Sequence, residues 1–431
     1  MVYLLYDLIL YLSALFLVPY YLYRGLRYGK TRRGIRERLG AYAQDFCQLL
    51  QGRQVIWVHA VSVGETRAAI PLIKALRQRY PDALLILSNV TETGREIATG
   101  VAEIDHYIFF PFDLRWIVRK VLHIIRPAIV ILVETEIWPN FVLEARRQNI
   151  PVVLVNGRIS DRSFPRYRMA RKVLLPILDS ISDFCMQSEQ DSRRIRHLGA
   201  AAGRVQVTGN LKFDIQPPQI DFSELGTLRN NLKLPDNVRI WVAGSTHDGE
   251  EKQLVTVYQK LRQTCPELFL ILVPRHPERC RQVQEELAKL EIAAILRSTL
   301  ATLNRALQPG EVMVVDTLGE MLKFYALADM VFVGGSLVNI GGHNLLEASL
   351  LKKPVLYGSH MQNFKEIARL VRATHAGLQV TNTDELYLQM RILLENPDEA
   401  RLIGENGHHL LEANRGATQR TLQQIDRRIL A

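Results

Sequence analysis

A chain of 431 residues with 48% hydrophobic and 23% charged composition is long enough for two or three domains and too apolar to be disordered. Its 54 Lys and Arg against 44 Asp and Glu give a net charge of +10, which favours an anionic partner such as nucleic acid, phospholipid or a phosphorylated substrate. Cys47, Cys185, Cys265 and Cys280 show no CxxC spacing, so neither a zinc site nor a disulfide framework is indicated.

The first predicted element is an apolar run from Val2 to Tyr23, whose only charge is Asp7. About 20 such residues suffice for a helix that crosses a bilayer. Asp7 lies close enough to the N-terminus to sit near one interface, and Tyr20, Tyr21 and Tyr23 form an aromatic belt at the other. Arg24, Arg27, Lys30, Arg32, Arg33, Arg36 and Arg38 follow, opposed only by Glu37, and carry +6 of the +10. The positive-inside rule then places everything after Arg24 in the cytoplasm. A cleaved signal peptide fits less well, because the positive charge follows the apolar run instead of preceding it. Residues 1–23 are therefore expected to be a membrane anchor, spanning or lying in one leaflet. The remaining +4 gives little support to a nucleic-acid groove.

Beyond the anchor, short apolar runs alternate with longer amphipathic ones, the pattern of parallel sheets wrapped by helices. Strands are predicted at Gln54 to His59, Ala83 to Leu87, Ala128 to Val133 and Val152 to Val155. A second series covers Arg239 to Ala243, Leu268 to Val273, Glu311 to Val315, Met330 to Val333 and Pro354 to Tyr357. The two series contain an echo: VIWVHAVSVGETRAAIPLIKALRQRYPDALLIL (Val55 to Leu87) matches RIWVAGSTHDGEEKQLVTVYQKLRQTCPELFLIL (Arg239 to Leu272) in type and order. Glu65 aligns with Glu250 and Pro81 with Pro266. A repeat half a protein apart points to two Rossmann-like domains in tandem, because a solenoid repeats every few tens of residues. The expected domains are 24–213 and 237–431, with a linker at 214–236 rich in Pro and Gly. Two such domains facing each other across a cleft constitute the GT-B architecture, an α/β fold that by itself does not establish chemistry.

The candidate site residues come in chain order. HAVSVGET (His59 to Thr66) follows a strand and opens a helix, so Glu65 emerges at the ligand edge of a sheet. There it could act as general base toward a sugar hydroxyl, or simply complement the helix N-terminus. VETEIWPN (Val133 to Asn140) ends a strand with Glu134 and Glu136, which could orient an acceptor or serve as helix-start carboxylates. GNLKFD puts Lys212 at the domain junction, either facing an anionic donor or solvated. In the second half, VPRHPER (Val273 to Arg279) sets Arg275, His276 and Arg279 at a spacing suited to a phosphate. DTLGEM (Asp316 to Met321) offers a turn at Gly319. GGSLVNIGGHNLLEAS (Gly334 to Ser349) has glycines that let backbone approach a ligand, Asn344 where a helix begins, and Glu347 placed to accept from a ribose diol. HExxH, GxxxxGK[ST] and GxSxG are absent from the sequence, which removes zinc-peptidase, P-loop and α/β-hydrolase readings.

Taken together, RERLG (Arg36 to Gly40), HAVSVGET, ETEIWPN, NGRIS (Asn156 to Ser160), GSTHDGEE (Gly244 to Glu251), VPRHPER and GGHNLLE resemble the 3-deoxy-D-manno-octulosonic acid (Kdo) transferases of lipopolysaccharide synthesis, over essentially the whole chain. The resemblance implies an inverting glycosyltransferase that needs no cofactor or catalytic metal. It would move Kdo from CMP-Kdo to a lipid A precursor, lipid IVA, at the cytoplasmic face of the inner membrane. It further implies that Glu65 is the base and that Glu134 and Lys212 stabilise the transition state. Pro274, Arg275, Leu318, Gly319, Glu320, Asn344, Leu345, Leu346 and Glu347 match CMP contacts. Anionic inner-membrane lipids are expected partners and nucleic acid is not. The competing readings are a GT-B enzyme using a UDP-sugar and a membrane-tethered binding protein without turnover.

Overall fold

The computed structural model describes residues 6–8, 10–13, 32–215, 223–234 and 237–430. Two units emerge. The first comprises the chain up to Asp214 together with Asn414 onward, and the second runs from Ile215 to Ala413.

In the first unit seven strands pair in parallel, in the order β3-β2-β1-β4-β5-β6-β7. They are β1 (Val55–His59), β2 (Leu84–Asn89), β3 (His106–Phe109), β4 (Ile129–Val133), β5 (Val152–Gly157), β6 (Asp183–Met186) and β7 (Val205–Val207). The central strands read VIWVH, LLILSN, IVILV and VVLVNG and are buried along their whole length. A strand with helices on both faces has no solvent side, so apolar residues run on instead of alternating with polar ones. One face carries a core around Trp57, Phe110 and Phe141, the other a core around Ile56, Val58, Leu72 and Leu76.

The second unit repeats the plan, again all parallel, in the order β10-β11-β9-β8-β12-β13-β14. These strands are β8 (Arg239–Thr246), β9 (Leu268–Pro274), β10 (Ala294–Leu296), β11 (Val312–Val314), β12 (Met330–Val333), β13 (Val355–Tyr357) and β14 (Leu378–Gln379). The echo in the sequence is structural: β1, the helix Val63–Arg79 and β2 correspond to β8, the helix Glu250–Arg262 and β9. Trp57 and Trp241 are both fully buried on the first strand of each copy.

Near the middle of each sheet the strand order reverses, between β1 and β4 in the first unit and between β8 and β12 in the second. Loops leaving the carboxyl ends of those neighbours diverge and open a crevice, which is where open α/β sheets bind ligands. HAVSVGET follows β1 and VETEIWPN ends β4. GSTHDGEE spans the end of β8 and GGSLVNIGGHN follows β12.

Two expectations change. Strands β3, β6, β7, β10 and β14 were not predicted: all lie toward sheet edges, and each is only two to four residues long, too short for a periodic signal. The second-domain boundary at residue 431 is also wrong, because Asn414 onward belongs with the first unit. Its helix Ala417–Ile429 buries Ala417, Leu422 and Ile425 in the core that holds Ile73 and Leu76. Asp214 caps this helix from a distant part of the chain, accepting from Gly416 N at 2.7 Å and from Thr418 N. Arg428 adds an ion pair to Asp183 at 2.5 Å.

Most of the expected anchor and the basic residues from Arg24 to Lys30 lie outside the described residues, and among the described residues no helix is long and apolar enough to cross a membrane. Asp7, the one charge in the apolar run, accepts from Asn140 Nδ2 at 2.7 Å, and Tyr6 Oη donates to Asp113 Oδ2 at 2.9 Å. Asp113 in turn caps the helix Pro139–Arg147 by accepting from Asn140 N at 3.1 Å and Phe141 N at 2.8 Å. This segment is thus tied to the element that follows ETEIW.

Candidate active site

In the first unit the helix Val63–Arg79 begins with Ser62 as N-cap and Glu65 three residues on. This is a variant of the capping box: Ser62 caps the Glu65 amide, while the Glu65 carboxylate reaches past the N-cap to the Val61 amide. Val61 N donates to Glu65 Oε2 at 2.5 Å, Ser62 Oγ to Glu65 Oε1 at 3.2 Å, and Glu65 N to Ser62 Oγ at 3.4 Å. The side chain is nevertheless coupled to other acids. Burial pushes the Glu65 carboxyl up to about 7, the Val61 amide pulls against this, and the nearby Glu134 and Glu136 carboxylates push it further. Burial and Glu134 raise Glu136 as well. Glu65 thus caps its helix and is at the same time a buried carboxyl of raised proton affinity.

Glu134 leaves β4 with φ of 62°, a left-handed conformation that costs a non-glycine residue about 1–2 kcal/mol. Asn156 at the end of β5 and Ser245 on β8 share it, with φ of 55° and 57°. Such strain gathers where the fold over-determines a functional loop. Lys212 Nζ lies 3.6 Å from Glu134 Oε1, so the first unit gathers Glu65, Glu134, Glu136 and Lys212 at its switch point.

The surrounding hydrogen bonds hold these loops in place. Asn89, fully buried, donates from Nδ2 to Ala60 O at 2.7 Å and to Thr66 Oγ1 at 2.9 Å, pinning both sides of the Glu65 turn. Asn156 Oδ1 accepts from Leu211 N at 3.0 Å, and Asn210 Oδ1 from Lys212 N at 3.0 Å. The C-terminal helix reaches the same loop, with Arg420 Nε donating to Thr208 O at 2.8 Å. None of these positioning residues was singled out from sequence, although Asn156 opens the NGRIS motif.

In the second unit Glu250 holds the centre of the switch point. Its fully buried carboxylate accepts four backbone amides, from His247 at 3.2 Å, Gly335 at 2.7 Å, Ser336 at 3.1 Å and Leu337 at 3.0 Å. It thereby fastens the loop after β12 to the loop after β8. His247 Nε2 and His343 Nε2 stand 2.9 Å apart and join the same two loops. Burial and the neighbouring His276, Arg279 and Arg275 lower the His247 pKa.

Arg279 is a correction to the expected phosphate spacing. It binds Glu251 Oε1 and Asp248 Oδ1, each at 3.1 Å, so its charge is met within the protein. Arg275 is half-buried beside buried Pro274, and its N donates to Thr246 O at 3.0 Å. Leu318 is 83% exposed beside Gly319, whose φ is 80°. Glu320 accepts from Thr317 Oγ1 and pairs with Arg297 at 3.4 Å. Asn344 Oδ1 accepts from Leu346 N at 3.2 Å, while Asn344 Nδ2 reaches Glu347 Oε1 at 3.5 Å. Leu345 and Leu346 are fully buried. Ser245 Oγ donates to Met321 Sδ at 3.5 Å, which links the Leu318–Glu320 turn to the end of β8.

Known proteins resemble the chain in sequence and in fold. The family model described as 3-Deoxy-D-manno-octulosonic-acid transferase (kdotransferase) matches residues 33–215. The 3-deoxy-D-manno-octulosonic acid transferase of Haemophilus influenzae is 36% identical over 92% of this chain and 91% of its own length. That of Bordetella pertussis is 33% identical over 86% of each. Among solved structures, a glycosyltransferase from Rickettsia africae superposes with a TM-score of 0.58 at 16% identity, over 88% of this chain and 99% of its own. The UDP-GlcNAc 2-epimerase of Neisseria meningitidis also gives 0.58 at 16% identity, over 87% and 100%. At such identities the structures speak for the fold alone, an α/β chain of the GT-B type with two Rossmann-like units. Sequence identity across nine-tenths of both chains goes further: this protein is a glycosyltransferase and belongs to the 3-deoxy-D-manno-octulosonic acid transferase family.

Proposed function

We propose that the protein transfers Kdo from CMP-Kdo to a lipid A precursor, lipid IVA, in lipopolysaccharide biosynthesis, with inversion and without a metal. Glu65 takes the proton of the acceptor hydroxyl as its oxygen attacks the anomeric carbon. The bond from that carbon to the CMP phosphate oxygen breaks on the opposite face, and CMP leaves with the electron pair. A carboxyl held near pH 7 suits this task, since a general base works best with a pKa near the operating pH. Lys212 offsets the negative charge of the donor, and Glu134 holds the ammonium in place. In the second unit Pro274 and Arg275, the turn Leu318–Glu320, and Asn344 to Glu347 grip CMP, with Leu345 and Leu346 contributing backbone.

The observation that most supports this reading is the gathering of Glu65, Glu134 and Lys212 at the switch point of the first unit, in a chain of this family. The acceptor is acylated and stays in the bilayer, so the enzyme works at the cytoplasmic face of the inner membrane, held by the apolar run Val2 to Tyr23. Incubating the purified protein with CMP-Kdo and tetraacylated lipid A precursor, with EDTA present, and weighing the product tests the proposal. Addition of Kdo with release of CMP is expected. Transfer only from a UDP-sugar, or CMP binding without turnover, would replace it.

A further inference from the structure

The helices Phe164–Met169 and Arg171–Asp179 follow β5 and pack on the helix Glu189–Leu198. Their leading segment, 161–172, reads DRSFPRYRMARK. Arg162, Arg166, Arg168, Arg171 and Lys172 are all exposed, and among the described residues none of the five pairs with a carboxylate. The one acid, Asp161, is bound by Arg194. The segment thus carries +4, and residues 24–38 carry +6, which together equal the whole net charge of +10. The +4 left outside the amino-terminal region is matched by this second basic cluster.

Apolar side chains are set among these cations. Met169 is 89% exposed, and Tyr167 and Leu175 are 36% exposed, uncovered by any other described residue. Each Lys or Arg near an anionic bilayer adds to the attraction, and burying a Met side chain among acyl chains strengthens it. Cations alone would suit any polyanion, but interleaved Met, Tyr and Leu match a headgroup layer with acyl chains beneath it. The location also fits: Arg158, just before the segment, accepts from Thr135 Oγ1 at 2.9 Å through its carbonyl, so the basic face starts beside the Glu134 loop.

We propose that the exposed face of the first unit spanning Arg162 to Leu175 is a docking surface for an anionic phospholipid bilayer, separate from the amino-terminal run. Its purpose rests on the bilayer-resident acceptor proposed above, whereas its chemistry rests on charge and exposure.

The test uses the full chain and vesicles of phosphatidylethanolamine with phosphatidylglycerol. Arg166→Glu combined with Arg168→Glu and Arg171→Glu should weaken vesicle partitioning at least tenfold. Transfer to acceptor dispersed in neutral detergent should stay at the wild-type rate. In a Cys47→Ser background, where the remaining cysteines are buried, a nitroxide on Met169→Cys should become accessible to oxygen and lose access to a water-soluble nickel chelate once vesicles are added. Unchanged partitioning, a label that stays open to the chelate on bound protein, or a loss confined to oligonucleotide binding would each overturn the proposal. So would an equal fall in detergent transfer, which would make these arginines acceptor contacts. Absence of Kdo transfer by the wild type would remove the proposed function and leave the vesicle result intact.

Discussion

Glu65 and Glu250 stand at the same place in two copies of one strand–helix–strand unit, and the fold uses them oppositely. Glu250 is fully buried and surrounded by four amide donors that belong to two loops. Glu65 keeps 8% exposure and receives one backbone amide from beyond its helix, while two further carboxylates raise its proton affinity. A carboxylate saturated with donors is structural, because each lone pair is already committed. One that is desolvated, close to other acids and short of donors is poised to take a proton. The duplicated position thus separates a tie between loops from a candidate base.

Several substitutions would break or sharpen that contrast. Glu65→Gln has the largest expected effect: transfer falls about 1,000-fold, or about 4 kcal/mol, while the melting temperature stays near wild type because Gln still serves a capping box. Lys212→Met should lower kcat about 100-fold, the scale of losing one preorganised charge, with CMP affinity by calorimetry little changed. Glu250→Gln should behave in reverse. It turns one acceptor oxygen into a donor facing backbone amides, at a cost of about 2–3 kcal/mol in urea unfolding. If Glu250→Gln were stable and inactive, the contrast would fail. Asp214→Ala should cost about 1–2 kcal/mol by uncapping the last helix, with the loop before Lys212 exchanging its amides faster.

Much of the fold was legible, for identifiable reasons. Central strands such as IVILV announce themselves because burial on both faces leaves no polar positions, and the Trp57 and Trp241 echo marks the repeated unit. Edge strands such as Leu378–Gln379 carry no such signal. The return of the last helix to the first unit depends on Asp214 and Arg428 meeting partners some 200 residues away in sequence, which no local pattern encodes. Among the candidate residues, Glu65 and Glu134 stood out because they follow apolar strands, and Lys212 because it lies at the expected domain junction. Arg279 misled because spacing cannot show that Glu251 and Asp248 already bind it. The tie through Glu250 was within reach, since the echo aligns it with Glu65, but its four partners come from a loop about 85 residues on as well as its own.

The most direct measurement is kcat/KM for Kdo transfer against pH, for the wild type and for Glu65→Gln. A base must be ionised to act and Glu65 has its carboxyl pushed up to about 7. The wild-type rate should therefore rise about tenfold per pH unit below 7 and level off above it, and the Gln variant should be slow with that rise abolished. A Gln variant that transfers within tenfold of wild type, or keeps the same acid limb, would contradict the assignment of Glu65 as the base.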